Sequence, residues 1–448
     1  MIVVYCLMAF LLTYTIFKYY FNKEVKIHKF FRILLKLLTT VIMLFSIIII
    51  LAMPVPKLLK NTGEYPISSF NLKMIDEVRT EIYTEEEQDV RELMVTIWYP
   101  SEETKSVVNK PYISNLNMFG STLTKELEMP SFLFDYFDCI KTQVTVGAPV
   151  SNQSDQYPLL IFSHGLGTIS ELYTSIITEL VSNGYVVASV NHTYSTMATV
   201  FPGEGVTTFK TDVEKYSEEQ LTVLEETWVK DIEFVLTQMD HLNAGIDNGV
   251  LKDRIDMSKI GVIGHSFGGE AAYQACYSND RISVGINLDG SIYSINPKVP
   301  IKDKCFMLMA SEEYAAAIES SNSGVQDYDE LSASQQLELE KQGRTKQQYE
   351  ESARQMKFAN SFFKEILDQG SIYISIDGTK HYNFSDAPLI SPLTKMMGLT
   401  GEIDGKRGLK IINAYTVQFF NEHLKNMQGS LLNGPTKEYP EVKFEGIQ

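Results

Sequence analysis

Cysteine is scarce, four in 448 residues, and Cys139, Cys276 and Cys305 form an odd set with no C-x-x-C pair. A disulfide framework is therefore excluded as the organising device, and no metal-ligand spacing or cofactor motif is visible. Basic residues are also few once the amino-terminal end is passed. Of 39 Lys/Arg and 56 Asp/Glu, eight and one respectively fall in residues 1–60, which leaves 31 against 55 in the remainder. A body that acidic is a poor partner for nucleic acid.

Charge is missing altogether from two apolar runs near the start. Residues 1–17 hold no charged side chain, and neither does the stretch from Leu37 to Val55 with its LFSIIIILA core. Each run is about long enough to cross a bilayer. Between them lie Lys18, Lys23, Lys26, Lys29, Arg32 and Lys36, whereas only Lys57 and Lys60 follow closely. The positive-inside rule then predicts a two-helix transmembrane hairpin over residues 1–56 with a cytoplasmic loop. The expected product is a multi-pass cell-membrane protein whose remaining chain is extracytoplasmic. A cleaved signal peptide is the competing reading, but the first run lacks a basic region ahead of it.

What the rest of the chain does hold is an alternation of strands and helices. Residues 57–92 read as a linker and approach strand, and LMVTIWYP (93–100) as a strand closed by proline. Residues 105–150 are irregular, with a short amphipathic helix in SFLFDYFDCI. Apolar strands follow in YPLLIFS, in YVVASV (185–190), in SVGINLDG (283–290), in CFMLMA (305–310) and in SIYISI (371–376). Helical spacing runs over 171–182, 217–239 and 408–426. Such alternation predicts an α/β fold, a mostly parallel sheet covered on both faces, over residues 93–448. Residues 325–368 are rich in Gln, Glu, Lys and Ser and read as inserted helices, either a lid or a solvated decoration.

One stretch carries chemistry. KIGVIGHSFGGEAA (259–272) predicts a buried strand, a sharp turn and a helix, with Gly264-His265-Ser266-Phe267-Gly268 as a G-x-S-x-G elbow. Ser266 is the candidate nucleophile. The glycine-bearing loop Ser163-His164-Gly165-Leu166-Gly167 sits at the end of another strand. In serine hydrolases of this kind that loop supplies a backbone N–H to the oxyanion, so Leu166 and Phe267 are the candidate donors. A serine hydroxyl needs a base. Of seven histidines, His381 lies in the loop after the last clear strand, as the order nucleophile, acid, base requires. For the acid, Asp289 and the pair Glu312 and Glu313 both end strands after the elbow, and Asp386 reads better as a local turn former.

From Leu93 onward, outside the inserted helices, the chain resembles the plasma and type II platelet-activating factor acetylhydrolases. The matching pieces are FSHGLG, GHSFGG, LDGSIYSI, the strand ending in SEEY, and GTKHYNFSD. The resemblance implies an α/β-hydrolase fold, a metal- and cofactor-independent serine esterase, and short or oxidised acyl chains on a phospholipid as substrate. It also implies Asp289 as the acid, with Ser266, His381 and the Leu166 and Phe267 donors in the remaining roles. Gly290 and the long polar insertion depart from the family's pattern. A general cell-surface carboxylesterase or lipase, and a silent binding module, are the alternatives; the oligomeric state is not readable.

Overall fold

The computed structural model describes residues 29–446 apart from 53, 87, 104–107, 127–131, 212–215, 247–248, 294–303, 323–325 and 342. In chain order the strands are β1 (Ile67–Thr80), β2 (Val90–Pro100), β3 (Asn109–Pro111), β4 (Lys141–Val146), β5 (Tyr157–Ser163) and β6 (Val186–Asn191), then β7 (Ala198–Phe201) and β8 (Gly205–Thr208). Beyond them come β9 (Ile255–His265), β10 (Val284–Leu288), β11 (Cys305–Ser311), β12 (Ile372–Ile376) and β13 (Val442–Phe444). Among the described residues, eleven form one sheet in the order β13-β12-β11-β10-β9-β5-β6-β2-β1-β4-β3, while β7 and β8 pair as a separate ribbon.

From β12 across to β6 every neighbouring pair is parallel. These strands are buried along nearly their whole length, which is why their sequences are continuous apolar runs. Side chains still alternate between faces. Leu159 and Ile161 join one core and Leu160 and Phe162 the other. Helices cover both sides. On the first face lie α2 (Glu218–Asn243) with Trp228, Ile232 and Val235, and α3 (Phe267–Ser278) with Tyr273 and Tyr277. The second face is covered by a helix at Thr174–Ser182 and by α5 (Gly405–Lys425), through Ile176, Leu409, Phe419 and Phe420. Each large side chain so buried is worth about 1.5–3 kcal/mol. Ser217 starts α2 by accepting the Gln220 N–H at 3.3 Å in a capping box, and Asp404 starts α5 by accepting from Arg407 at 3.0 Å.

The stretch expected to be a linker and approach strand contributes β1, a strand of fourteen residues that pairs antiparallel with β2. The inserted region ends in α4 (Lys346–Asp368), whose Ala359, Phe362, Phe363 and Ile366 are buried against the first core. Phe362 meets Tyr277 at 5.2 Å between ring centroids, whereas the preceding helix, Ala333–Lys341, buries no residue.

The expected transmembrane hairpin is corrected, and with it the multi-pass membrane localisation. Among the described residues no helix is long and apolar enough to cross a membrane. The first run, residues 1–17, lies outside the described residues. The second lies in α1, which covers Lys29–Ala52 among the described residues, so Arg32 and Lys36, read as loop residues, are helical. Its uncharged part runs only from Leu37 to Ala52, about 24 Å at ~1.5 Å per residue, against a hydrocarbon core of ~30 Å. Pro54 and Pro56 follow, and the run read from sequence had counted past that end.

A buried ion pair ties β2 to α2 on the sheet's first face. Arg91 on β2, 1% exposed, forks onto Asp231 of α2 with Nε to Oδ1 at 3.2 Å and Nη2 to Oδ2 at 2.7 Å. Its Nη1 donates to Glu81 and to the Thr193 carbonyl, both at 2.9 Å. Burial alone would raise the Asp231 pKa, but Arg91 overrides it and holds the carboxyl well below the usual range. Asp231→Ala leaves the guanidinium buried with one carboxylate fewer, and should cost about 3–5 kcal/mol in chemical denaturation. Because the folded-state pKa is depressed, the contribution is present above the unfolded value of about 4 and lost as pH falls below it. The variant should therefore show a flatter acid limb of stability than the parent.

Candidate active site

Parallel register brings the chemistry to one edge. His265 of β9 is level with Leu288 of β10, so the next residues, Ser266 and Asp289, emerge side by side at the strands' carboxyl ends. Ser311 of β11 is level with Ile376 of β12, and the turn after β12 carries His381 over the same edge.

Ser266 sits at φ 56° and ψ −127°, between β9 and the first residue of α3. No regular structure uses that conformation, and a residue with a Cβ pays for it in strain of about 1–3 kcal/mol. The close approach behind it demands glycine. A Cβ on Gly268 would lie 2.2 Å from the His164 carbonyl oxygen, so the end of β5 packs directly on the start of α3. Asp289 also has a positive φ, 54°, in a turn fixed by the Asn287 Oδ1 accepting the Gly290 N–H at 2.7 Å. A Cβ on Gly290 would come 2.2 Å from the Ser266 carbonyl. The Asp289 turn and the elbow are in contact there.

Three of the expected site residues meet. Ser266 Oγ is 2.9 Å from His381 Nε2, and His381 Nδ1 is 2.8 Å from Asp289 Oδ2. The other Asp289 oxygen accepts the Ser311 N–H at 2.6 Å. The Asp289 side chain is 2% exposed and that of His381 41%, so the chain runs from a buried carboxylate to an accessible imidazole. The alternative acids are engaged elsewhere. Glu312 accepts the Gly378 N–H at 2.8 Å, and Glu313 reaches Lys380 at 4.0 Å. Asp386 is buried, accepts from the Tyr112 hydroxyl at 2.9 Å and from the Ser175 N–H, and is pushed by burial up to about 7.

Of the expected oxyanion donors, Phe267 follows Ser266 directly, and Leu166 follows Gly165, where a Cβ would lie 3.3 Å from the Ser266 Cβ. Phe267 opens α3, where an N–H has no intrahelical acceptor. Among the described residues neither N–H is paired with a backbone carbonyl. The Leu166 loop is pinned on both sides: Gly167 N–H donates to Ser195 O at 2.9 Å, and the Thr168 N–H and hydroxyl both donate to Gly165 O.

Behind the loop is a second serine–histidine–aspartate line that sequence reasoning missed. Ser163 Oγ is 2.9 Å from His192 Nε2, and His192 Nδ1 is 2.9 Å from Asp231 Oδ2. All three are fully buried, so no substrate reaches them. The His192 N–H donates to His164 Nε2 at 3.2 Å, and His164 Nδ1 donates to Gly165 O at 2.7 Å. Burial and the neighbouring His192 push His164 down to about 3, so it stays neutral. Trp228 stacks on His192 at 3.8 Å between centroids and meets Phe267 edge-on at 5.0 Å. One signal was readable: Trp228, Asp231, Ile232 and Val235 share an i, i+3, i+4, i+7 stripe, which puts the aspartate on the core face of its helix.

Comparison with known proteins agrees with this architecture. The family model described as "Platelet-activating factor acetylhydrolase, isoform II" matches residues 56–433. A platelet-activating factor acetylhydrolase of Canis lupus familiaris is 26% identical over 360 residues, covering 73% of this chain and 71% of the relative. One of Gallus gallus is 27% identical over 360 residues, covering 72% and 75%. A probable 1-alkyl-2-acetylglycerophosphocholine esterase of Arthroderma benhamiae is 26% identical over 298 residues, covering 64% and 66%. Among solved structures, a ferulic acid esterase from Streptomyces cinnamoneus superposes with a TM-score of 0.63 at 23% identity. It covers 87% of this chain and 99% of its own, and shows that the fold is that of the α/β-hydrolases. With a family match spanning most of its length, and esterases among its relatives, the chain belongs to the platelet-activating factor acetylhydrolase, isoform II, family and is an ester hydrolase of that kind.

Proposed function

We propose that the enzyme cleaves short-acyl esters of glycerophospholipids through an acyl-serine intermediate, with Ser266 as nucleophile, His381 as general base and Asp289 as the acid that orients it. The observation that carries the reading is the unbroken line from Asp289 Oδ2 to His381 Nδ1 and from His381 Nε2 to Ser266 Oγ, at 2.8 and 2.9 Å. Ser266 Oγ attacks the ester carbonyl carbon while His381 Nε2 takes its proton. Asp289 keeps the other ring nitrogen protonated and stabilises the imidazolium. Negative charge gathering on the carbonyl oxygen is met by the Leu166 and Phe267 N–H groups; losing one such donor typically costs about 100-fold to 1,000-fold.

Collapse of the tetrahedral species breaks the bond to the alcohol oxygen, which leaves with the proton from His381. The acyl group stays on Ser266. Water, activated by the same imidazole, then releases the carboxylic acid and restores the serine. The short acyl chain and the phospholipid are supported by relatives named as a platelet-activating factor acetylhydrolase and a probable 1-alkyl-2-acetylglycerophosphocholine esterase.

Ser266→Ala should lower kcat by at least about 10,000-fold without changing the thermal transition. Asp289→Asn should lower it by roughly 10,000-fold, and Glu312→Gln should have little effect. The reverse ranking would move the acid to the strand after β10. A p-nitrophenyl ester series from acetyl to long chains should give the highest kcat/KM at acetyl or butyryl, followed by turnover of an acetyl glycerophospholipid. A long-chain optimum would instead identify a lipase.

A further inference from the structure

The residue just before the nucleophile has a role that the triad does not explain. His265 is fully buried, yet both of its ring nitrogens are engaged. Nε2 is 2.9 Å from the carbonyl oxygen of His381, and Nδ1 is 2.9 Å from the hydroxyl of Tyr173. Tyr173 is buried as well, and its oxygen accepts the N–H of Gly165 at 3.0 Å.

Hydrogen-bond chemistry gives the line a direction. A carbonyl only accepts, so Nε2 carries the hydrogen. Burial, with the His381 imidazole alongside, pushes the His265 pKa well below the ordinary histidine value, so the ring is neutral, has one N–H and leaves Nδ1 bare. Tyr173 is the hydroxyl that can satisfy the bare Nδ1, and its oxygen receives Gly165 N–H; the Thr168 hydroxyl, donated to Gly165 O, lies 3.1 Å from the same oxygen. Each polar atom along the line is satisfied, and the donors all point the same way. Gly165 completes the fit, since a Cβ there would lie 3.0 Å from both His265 Nδ1 and the Tyr173 oxygen.

We propose that Tyr173 and His265 form a positioning strut that holds the oxyanion loop at a set distance from the base. One end grips Gly165, the residue before the Leu166 donor, and the other grips the backbone of His381 itself. The strut bypasses Ser266. It sets where the Leu166 N–H stands relative to His381 Nε2, which is the spacing that a tetrahedral intermediate must fit. Phe384, whose ring is stacked 6.3 Å from that of His265, backs the imidazole from the base turn. Neither Tyr173 nor His265 reaches the substrate, so both act through the groups they hold.

The inference rests on His381 being the base, and the test separates the two. Tyr173→Phe in the full chain keeps the ring and deletes one hydroxyl. It should lower kcat by about 10-fold to 100-fold with KM within about twofold, since a displacement near 1 Å costs on that order. Fluorophosphonate labelling should remain at Ser266, only slower. His265→Leu should lose as much, and a residue that served only packing would lose stability without this kcat-against-KM split. Histidine-selective nitrogen-15 NMR of the unsubstituted protein should show His265 in the Nε2–H tautomer and neutral through the range where an ordinary histidine titrates. A kcat unchanged by Tyr173→Phe, with Ser266 still labelled, would overturn the strut while leaving the triad standing. So would an Nδ1–H tautomer for His265, a result that does not depend on the variant folding. Loss of Ser266 labelling in the parent would instead remove the nucleophile assignment.

Discussion

Everything at this site depends on a serine held at φ 56° where a buried strand turns into a helix. A residue with a side chain does not rest there unaided; strain of about 1–3 kcal/mol persists only when the surroundings over-determine it. Here they do. β9 is clamped between β5 and β10, the Ser266 N–H is tied to the Leu288 carbonyl at 3.0 Å, and α3 is buried against the core from its first turn. The glycines around the elbow let backbone from β5 and from the Asp289 turn close in to contact distance. The strained turn, the oxyanion loop and the acid turn are thus one packed unit.

The seven histidines show how surroundings divide one residue type into different tasks. His381, with its side chain 41% exposed, faces an accessible serine. His164, His192 and His265 are buried and depressed below the ordinary range by loss of solvation, so they stay neutral and serve as fixed donors and acceptors. Ser163, His192 and Asp231 match the Ser266–His381–Asp289 line in residue types and spacing, but they anchor a loop. Accessibility and the nearby Arg91 distinguish the two lines, and residue identity does not.

The parts legible in the sequence were those written locally. Continuous apolar runs announced the parallel strands, and the glycine spacing around Ser266 announced the elbow, because burial on both faces and close backbone approach restrict residue choice at those very positions. His381 was reachable from chain order. Asp289 over Glu312 was not decided by spacing; the strand register that sets it beside Ser266 arises from pairing of distant segments. Arg91, Asp231, Tyr173 and His265 escaped for the same reason, since their partners lie up to 140 positions away. The hairpin expectation failed at a boundary. Hydropathy does not register where a helix starts and stops, and Lys29, Arg32 and Lys36 fell inside the helix instead of before it. β1 was read as an approach strand, and its length as a partner of β2 comes from pairing that the segment alone does not show.

The central claim is a covalent acyl group on Ser266, and it can be caught directly. Mixing the enzyme with p-nitrophenyl acetate, quenching in acid within the first turnover and mapping peptides by mass spectrometry reports where the acyl group resides. The account predicts one acetyl group on Ser266, formed in a burst of nitrophenol and absent from Ser266→Ala. An acetyl group on any other residue, or a burst with no covalent adduct, would contradict it.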